Sequence, residues 1–229
     1  MKKNYEDQKK LVELVNNAGG TYHKLNMGNG LIINGVYDMD KYLHLYGIPE
    51  KLDDLKVLDI GTSSGYFAIE CMRRGGQVTA IDINDETCLP VALIERFGFT
   101  IRYIQKNIFD LNSAFGQFNL VICGSLLLHL SDPFRALERI RTVCCHQAII
   151  ATSCTSDSET NPYPACEFIG EHAIDGDYWH YWRLSAAALQ KMALAAGFSK
   201  AETLNHFILQ SEEGFTPFVV PHVIISAFV

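Results

Sequence analysis

From Lys56 onward the chain repeats one unit: a short apolar run, a turn and an amphipathic helical segment. The runs are "KVLDI", "QVTAIDI", "FTIRYIQ", "FNLVICG" and "QAIIATS". Between them lie a helix over Gly65 to Arg74, a second over "DETCLPVALIERFG", and a third capped by Asp132 with Pro133 in its first turn. Phe134, Leu137, Ile140 and Val143 give that third helix one apolar stripe. Strands that alternate with helices are joined by crossovers, which makes the sheet mostly parallel and covers both its faces. "FNLVICG", dense with apolar residues, reads as a strand buried on both sides. Ser185 then caps a helix ended by Gly197, and "AETLNHFIL" and "FTPFVVPHVIISAF" finish the chain as two late strands.

Two stretches depart from this rhythm. Residues Tyr5 to Val15 space Leu11, Val12, Leu14 and Val15 along a helix that "NNAGG" stops. A loop rich in glycine and asparagine, "TYHKLNMGNGLIING", and a short helix over "DMDKYLHLYG" follow. Residues 1–50 are therefore expected to form an N-terminal helical lid over a main domain of residues 51–229. Within that domain residues 155–184 form a polar and aromatic insertion, and loops this long in compact domains are usually functional or disordered. At 229 residues the whole is one domain with an appendage.

The formal charge of -7, with both signs mixed along the chain, supplies no basic stripe and counts against a nucleic-acid partner. Seven scattered cysteines, with no C-x-x-C pair and no zinc spacing, suit a reducing compartment. No run of 18 uncharged apolar residues and no leader-like apolar segment occurs, so a cytoplasmic protein that does not enter a membrane is expected. "FVVPHVIISAF" fits either an inner strand or the edge of a homodimer.

The first strand–turn–helix carries the chemistry. Ligands of open α/β sheets sit beyond the carboxyl ends of the strands, and Gly61-Thr62-Ser63-Ser64-Gly65 occupies that spot. The spacing fails the G-x-G-x-x-G dinucleotide template. Asp59, just before Gly61, would repel a pyrophosphate and attract an ammonium group. Asp82, at the tip of the next strand, is placed to accept hydrogen bonds from two ribose hydroxyls, each contributing about 1.5 to 3 kcal/mol. An amino acid and a ribose in one ligand point to S-adenosyl-L-methionine.

These residues resemble the class I SAM-dependent methyltransferases, whose first motif, D/E-x-G-x-G-x-G, is met by Asp59, Gly61 and Gly65, with Ser63 at the middle glycine. The resemblance implies a Rossmann-like, doubly wound, seven-stranded, mostly parallel sheet with one antiparallel C-terminal strand. It also implies cofactor contacts at Asp59, Gly61, Thr62, Ser63, Gly65, Asp82, Ile83, Asn107, Ile108 and Gly124. "KNIFDL" resembles the adenine-binding segment and "GSLLLHLSDPFRALERI" the motif after the fourth strand. "YHKLNMGNGLIING", "LDIGTSSGYFAIECMRRGG" and "DYWHYWRLS" are similar to the small bacterial branch grouped with the wobble-uridine tRNA carboxymethyltransferase.

His129, His23 and His180 are the candidate catalytic residues, since a histidine can act as a base near neutral pH. Tyr178, Trp179 and Arg183 are candidate substrate contacts, and no metal ligand set is expected. Duller roles stand beside these: Asp59 as a strand-end bridge, Asn107 as a turn cap, His129 as a packed histidine and "DYWHYW" as core. The leading function is direct, in-line methyl transfer to a small-molecule metabolite. A tRNA-modifying methyl- or carboxymethyltransferase and a non-catalytic SAM-binding protein are the alternatives.

Overall fold

The computed structural model describes residues 2–84, 89–172 and 179–229. Seven strands form the central sheet: β1 (Lys56–Ile60), β2 (Gln77–Asp82), β3 (Ile101–Gln105), β4 (Phe118–Gly124), β5 (Cys144–Ser153), β6 (Lys200–Gln210) and β7 (Val219–Phe228). Their order is β6-β7-β5-β4-β1-β2-β3. The pairs β1–β2, β1–β4, β2–β3 and β4–β5 are parallel, and β7 runs antiparallel to both its neighbours. The direction of travel reverses at β1, so the carboxyl ends of β1 and β4 diverge there and leave a crevice. "FVVPHVIISAF" is thus an inner strand, and the edge on that side of the sheet is β6.

Five helices are described: α1 (Lys2–Asn17), α2 (Tyr66–Arg73), α3 (Leu89–Phe97), α4 (Pro133–Val143) and α5 (Ala186–Ala195). Asp132 Oδ1 accepts from Arg135 N at the start of α4 and Ser185 Oγ from Ala188 N at the start of α5, the caps expected from those residue types. Leu137, Ile140 and Val143 of α4 are fully buried against Leu58, Val121 and Ile150 of the sheet. Burying a side chain of this size stabilises the fold by roughly 1.5 to 3 kcal/mol. Helix α4 stops at Val143 and Cys144 opens β5; Cys144 is buried and Cys145 exposed.

On the opposite face, the N-terminal segment shares its core with α2 and the sheet. Val12, Leu25, Ile33 and Tyr46 pack in one cluster with Val57, Phe67 and Ile224. The glycine- and asparagine-rich stretch is more ordered than a loop: Thr21–His23 pairs in parallel with Gly35–Tyr37, and Leu25–Gly28 forms a hairpin with Leu31–Ile33. Gly35 allows this, because a Cβ there would lie 2.1 Å from Lys24 N. The short helix splits into two 3-10 turns, Met39–Lys41 and Leu43–Tyr46. Residues 155–184 also hold more structure than their composition suggests, since Cys166–His172 and Trp179–Leu184 pair as an antiparallel hairpin with one irregularity between Phe168 and Glu171.

Candidate functional site

The turn after β1 bends because three of its residues take left-handed backbone: Gly61 at φ 71°, Ser63 at φ 49° and Gly65 at φ 89°. Glycine adopts this region freely, whereas a serine pays a steric penalty there. A Cβ on Gly61 would also come within 3.1 Å of Leu126 on the segment that follows β4. The carboxylate of Asp59, almost fully buried, braces the turn from below. Its Oδ2 accepts from Thr62 Oγ1 at 2.6 Å and from Ala68 N at 3.1 Å. Burial pushes the Asp59 carboxyl up to about 7, with those two donors pulling the other way. The bridge between strand end and helix start, one of the duller roles for Asp59, is therefore present in the structure.

Asp82 joins the two strand tips. Its Oδ2 accepts from Ser63 N at 2.8 Å, and its Oδ1 accepts from Asn84 Nδ2 at 2.8 Å. Lys106 N donates to the Asp82 carbonyl at 2.7 Å and draws the end of β3 alongside. Ile83 is 59% exposed beside this carboxylate, an apolar surface at the crevice mouth of the kind a flat base can cover. Asn107 caps the 3-10 turn Ile108–Asp110 through Oδ1, which accepts from Phe109 N at 2.9 Å, and Ile108 is buried. Gly124 ends β4, where a Cβ would lie 2.6 Å from Phe67, so packing alone accounts for a glycine at this position.

The candidate bases fall into two groups. His23 is buried beside the Gly61–Gly65 turn, with its backbone N donating to Ser64 Oγ at 3.0 Å and its Nδ1 3.2 Å from the same oxygen. Its ring lies against Tyr66 and Phe67, and burial lowers its pKa to about 3, so it is neutral at physiological pH. His129 ends the 3-10 turn Leu127–His129 after β4. His180, buried on the second hairpin strand, places Nε2 3.0 Å from Ser153 Oγ, and that hydroxyl donates to Trp182 O at 2.9 Å. Ser153 spends its only proton there, so His180 Nε2 carries a hydrogen and donates to the serine. Burial, then positive charge on Arg183 and His129, lowers the pKa of His180.

Arg183 Nη1 lies 3.6 Å from Glu167 Oε2 across the hairpin, and its buried Nε has no partner among the described residues. Trp179 opens the second hairpin strand opposite His172. Tyr178 lies outside the described residues.

Three side chains near this crevice, Tyr46, Ser153 and His222, carried no signal in the motifs, and Ser64 was marked only as part of the turn. Ser64 ties the N-terminal segment to the turn. Tyr46 is fully buried on Phe67, with ring centroids 4.8 Å apart, and its hydroxyl has no partner among the described residues. Ser153 and His222 face each other as register partners on β5 and β7. The alternation of "VVPHVII" does put His222 on a buried face, a pattern that marks a histidine without assigning it a role.

Comparison with known proteins agrees with this geometry. Residues 58–152 match the methyltransferase domain family. Over 202 residues the chain is 25% identical to the ubiquinone biosynthesis O-methyltransferase of Psychrobacter arcticus, covering 82% of this chain and 78% of that protein. It is 27% identical over 140 residues to the tRNA U34 carboxymethyltransferase of Dichelobacter nodosus, covering 58% of this chain and 44% of that one. Among solved structures, the N-terminal domain of EvdMO1 with S-adenosylhomocysteine bound shares the fold, with a TM-score of 0.69, 16% identity and 97% of each chain covered. Fold, turn and matches together define a methyltransferase. The donor that the sequence reading implies for such an enzyme is S-adenosylmethionine.

The residues at the crevice fit that cofactor. The turn provides close backbone approach at Gly61, Asp82 stands at the neighbouring strand tip with hydrogen-bonding oxygens on the crevice side of Ser63, and Ile83 exposes an apolar surface beside it.

Proposed function

We propose that the chain methylates a small metabolite, with the cofactor held between the turn Gly61–Gly65 and Asp82 and the acceptor held under the N-terminal segment and the 166–184 hairpin. The observation that carries this reading is Asp82: a carboxylate at the tip of β2, joined to the turn through Ser63 N, with exposed Ile83 alongside. In the proposal Asp82 exchanges its bonds to Asn84 for bonds to the ribose hydroxyls. Ile83 and Ile108 flank the adenine, and Gly124 and the turn residues line the amino-acid end. Asp59 acts on that end through the turn it braces, and an ammonium group nearby would draw its carboxyl back down toward ionisation.

S-adenosylmethionine supplies an electrophilic methyl carbon. The protein's share is alignment and exclusion of water, which in well-oriented encounters provides about 7 to 11 kcal/mol. The N-terminal segment supports a covering role, because His23 and Ser64 bind it to the cofactor turn and Tyr66 donates to Asp40 at 2.7 Å. In this reading residues 1–50 are a closed lid and residues 51–229 the catalytic domain.

A small acceptor is favoured over tRNA by the charge of -7, and by the longer match to a relative named for ubiquinone biosynthesis than to the tRNA-modifying one. No helix among the described residues is long and apolar enough to cross a membrane, and a cytoplasmic site is part of the proposal. The test incubates the protein with methyl-labelled cofactor and, separately, a metabolite extract and bulk tRNA. Label in an extractable small product is the expected result, and label confined to tRNA would overturn it.

A further inference from the structure

Beyond the carboxyl end of β4 three histidines converge. His222 and Ser153 are register partners, two residue pairs past Ile224 and Ala151, and Ala151 pairs with Gly124, the last residue of β4. His222 and Ser153 therefore stand above the level at which β4 ends, with β5 between β7 and β4. At about 4.8 Å per strand, His222 lies about 10 Å to the side of β4. His180 reaches the same place from the hairpin through Ser153, and His129 comes from the turn after β4. Burial first, and then positive charge on His180 or His129, disfavours charge on His222, so the three rings lie within electrostatic range of one another.

His222 differs from its neighbours in one respect. Its Nδ1 lies 3.1 Å from Val220 O, and a carbonyl can only accept, so Nδ1 carries the ring hydrogen. Nε2 is then a lone-pair acceptor, and it is buried with no partner among the described residues while the side chain is 2% exposed. Buried polar atoms are nearly always satisfied, and each exception asks for a missing donor. The ring packs against Phe207, centroids 5.2 Å apart. Tyr46, packed on the same phenylalanine at 6.1 Å, adds a second unpartnered buried atom, its hydroxyl.

We propose that His222 is the residue that accepts the hydrogen of a hydroxyl on the methyl acceptor, which makes that acceptor an aromatic or enolic alcohol. The proposal rests on the methyl-transfer reading above. The hydroxyl O–H bond breaks toward Nε2, and the oxygen keeps the electron pair and bonds the transferred methyl carbon. The electrons of the methyl's former bond stay on sulfur, and the proton passes from the imidazolium to water after product leaves. Burial holds free His222 near pKa 4, so the lone pair is available throughout the neutral range, and the anion forming beside it raises its basicity at the moment of transfer. Ser153 and His180 are positioning residues for that enclosure.

The test uses two substitutions of the full chain. His222→Asn keeps a donor for Val220 O and removes the acceptor, and His222→Gln returns an acceptor at the Nε2 position without a group that titrates. The probe is 4-nitrocatechol, added to the protein with S-adenosylhomocysteine and read by the absorbance band of its ionised form. Wild type should bind the probe with its hydroxyl proton withdrawn, shifting its apparent pKa downward. His222→Asn should abolish that shift, and His222→Gln should restore binding but not ionisation. Methylation of phenolic acceptors should fall about 10²- to 10⁴-fold in kcat for His222→Asn. Affinity for S-adenosylhomocysteine should stay within threefold. An unchanged probe spectrum in His222→Asn, or wild-type methylation of amines but not hydroxyls, overturns the proposal and leaves the methyl-transfer reading intact. Failure of wild type to bind S-adenosylhomocysteine overturns both.

Discussion

The two sides of the crevice treat their polar groups in opposite ways. On the proposed cofactor side, Asp59 Oδ2 and both oxygens of Asp82 already accept hydrogen bonds, all from donors between Thr62 and Asn84. On the acceptor side, Tyr46 OH and His222 Nε2 are buried without partners among the described residues, although they arrive from opposite ends of the chain. The first region satisfies itself before any ligand binds, so a ligand there exchanges bonds for bonds. The second carries a desolvation cost of about 1 to 3 kcal/mol per atom that a ligand would remove. A self-satisfied cradle suits a cofactor that every turnover uses, and an unsatisfied enclosure suits discrimination among acceptors.

The largest test of this contrast is Asp82→Ala. Two charge-assisted bonds to ribose hydroxyls, together about 3 kcal/mol or more, correspond to at least a ~100-fold loss of S-adenosylhomocysteine affinity by calorimetry. Binding within threefold of wild type would break the cofactor half of the comparison.

Acid stability probes the other half. Burial lowers His23 to about 3 and His222 to about 4, whereas an unfolded imidazole titrates near 6.5. Between pH 4 and 6.5 the unfolded chain therefore binds about two protons that the native state refuses, and this contribution to stability grows as pH rises. Asp59 opposes it, because the native carboxyl, raised to about 7, keeps a proton that the unfolded one has released. The net of about one proton predicts stability rising by about 1.4 kcal/mol per pH unit across that window. Urea unfolding at three pH values checks this. Asp59→Asn removes the opposing proton and should roughly double the slope, while a flat profile in wild type would show that at most one of the two histidines refuses its proton in the native state.

Smaller effects sharpen the comparison residue by residue. Tyr46→Phe deletes an unpartnered buried hydroxyl and should raise the ligand-free thermal midpoint, by about 1 kcal/mol in free energy. A clear loss of stability would mean that the hydroxyl is satisfied in solution. Ser63→Gly relieves left-handed backbone at φ 49°, and after the extra chain entropy of glycine it should stabilise by only about 0.5 kcal/mol. A destabilised Ser63→Gly would indicate that the serine side chain has a bonding role the backbone argument leaves out.

The regular frame was readable because its signals are local. Asp132 and Ser185 cap the helices they precede, "FNLVICG" is the doubly buried β4, and the glycine spacing set the turn. The sequence did not reveal the small strands at Thr21–His23 and Gly35–Tyr37, or the hairpin in 155–184, because pairs that short are held by what they pack against. Asn107 shows another gap: one residue type serves both a turn cap and an adenine contact, and only the backbone geometry reveals that its oxygen is committed to Phe109 N.

By itself the sequence determined the alternation of strands and helices from β1 onward, the mostly parallel sheet and the place of the glycine turn after β1. All of these follow from periodicity and from backbone demands that act within a few residues. Tertiary structure alone decided which side chains meet at the acceptor side. Tyr46, His129, Ser153, His180 and His222 come together only when the sheet orders β7 beside β5 and the N-terminal segment folds over the crevice. Contacts between residues so far apart in the chain leave no periodic trace, since their register is set by packing across strands.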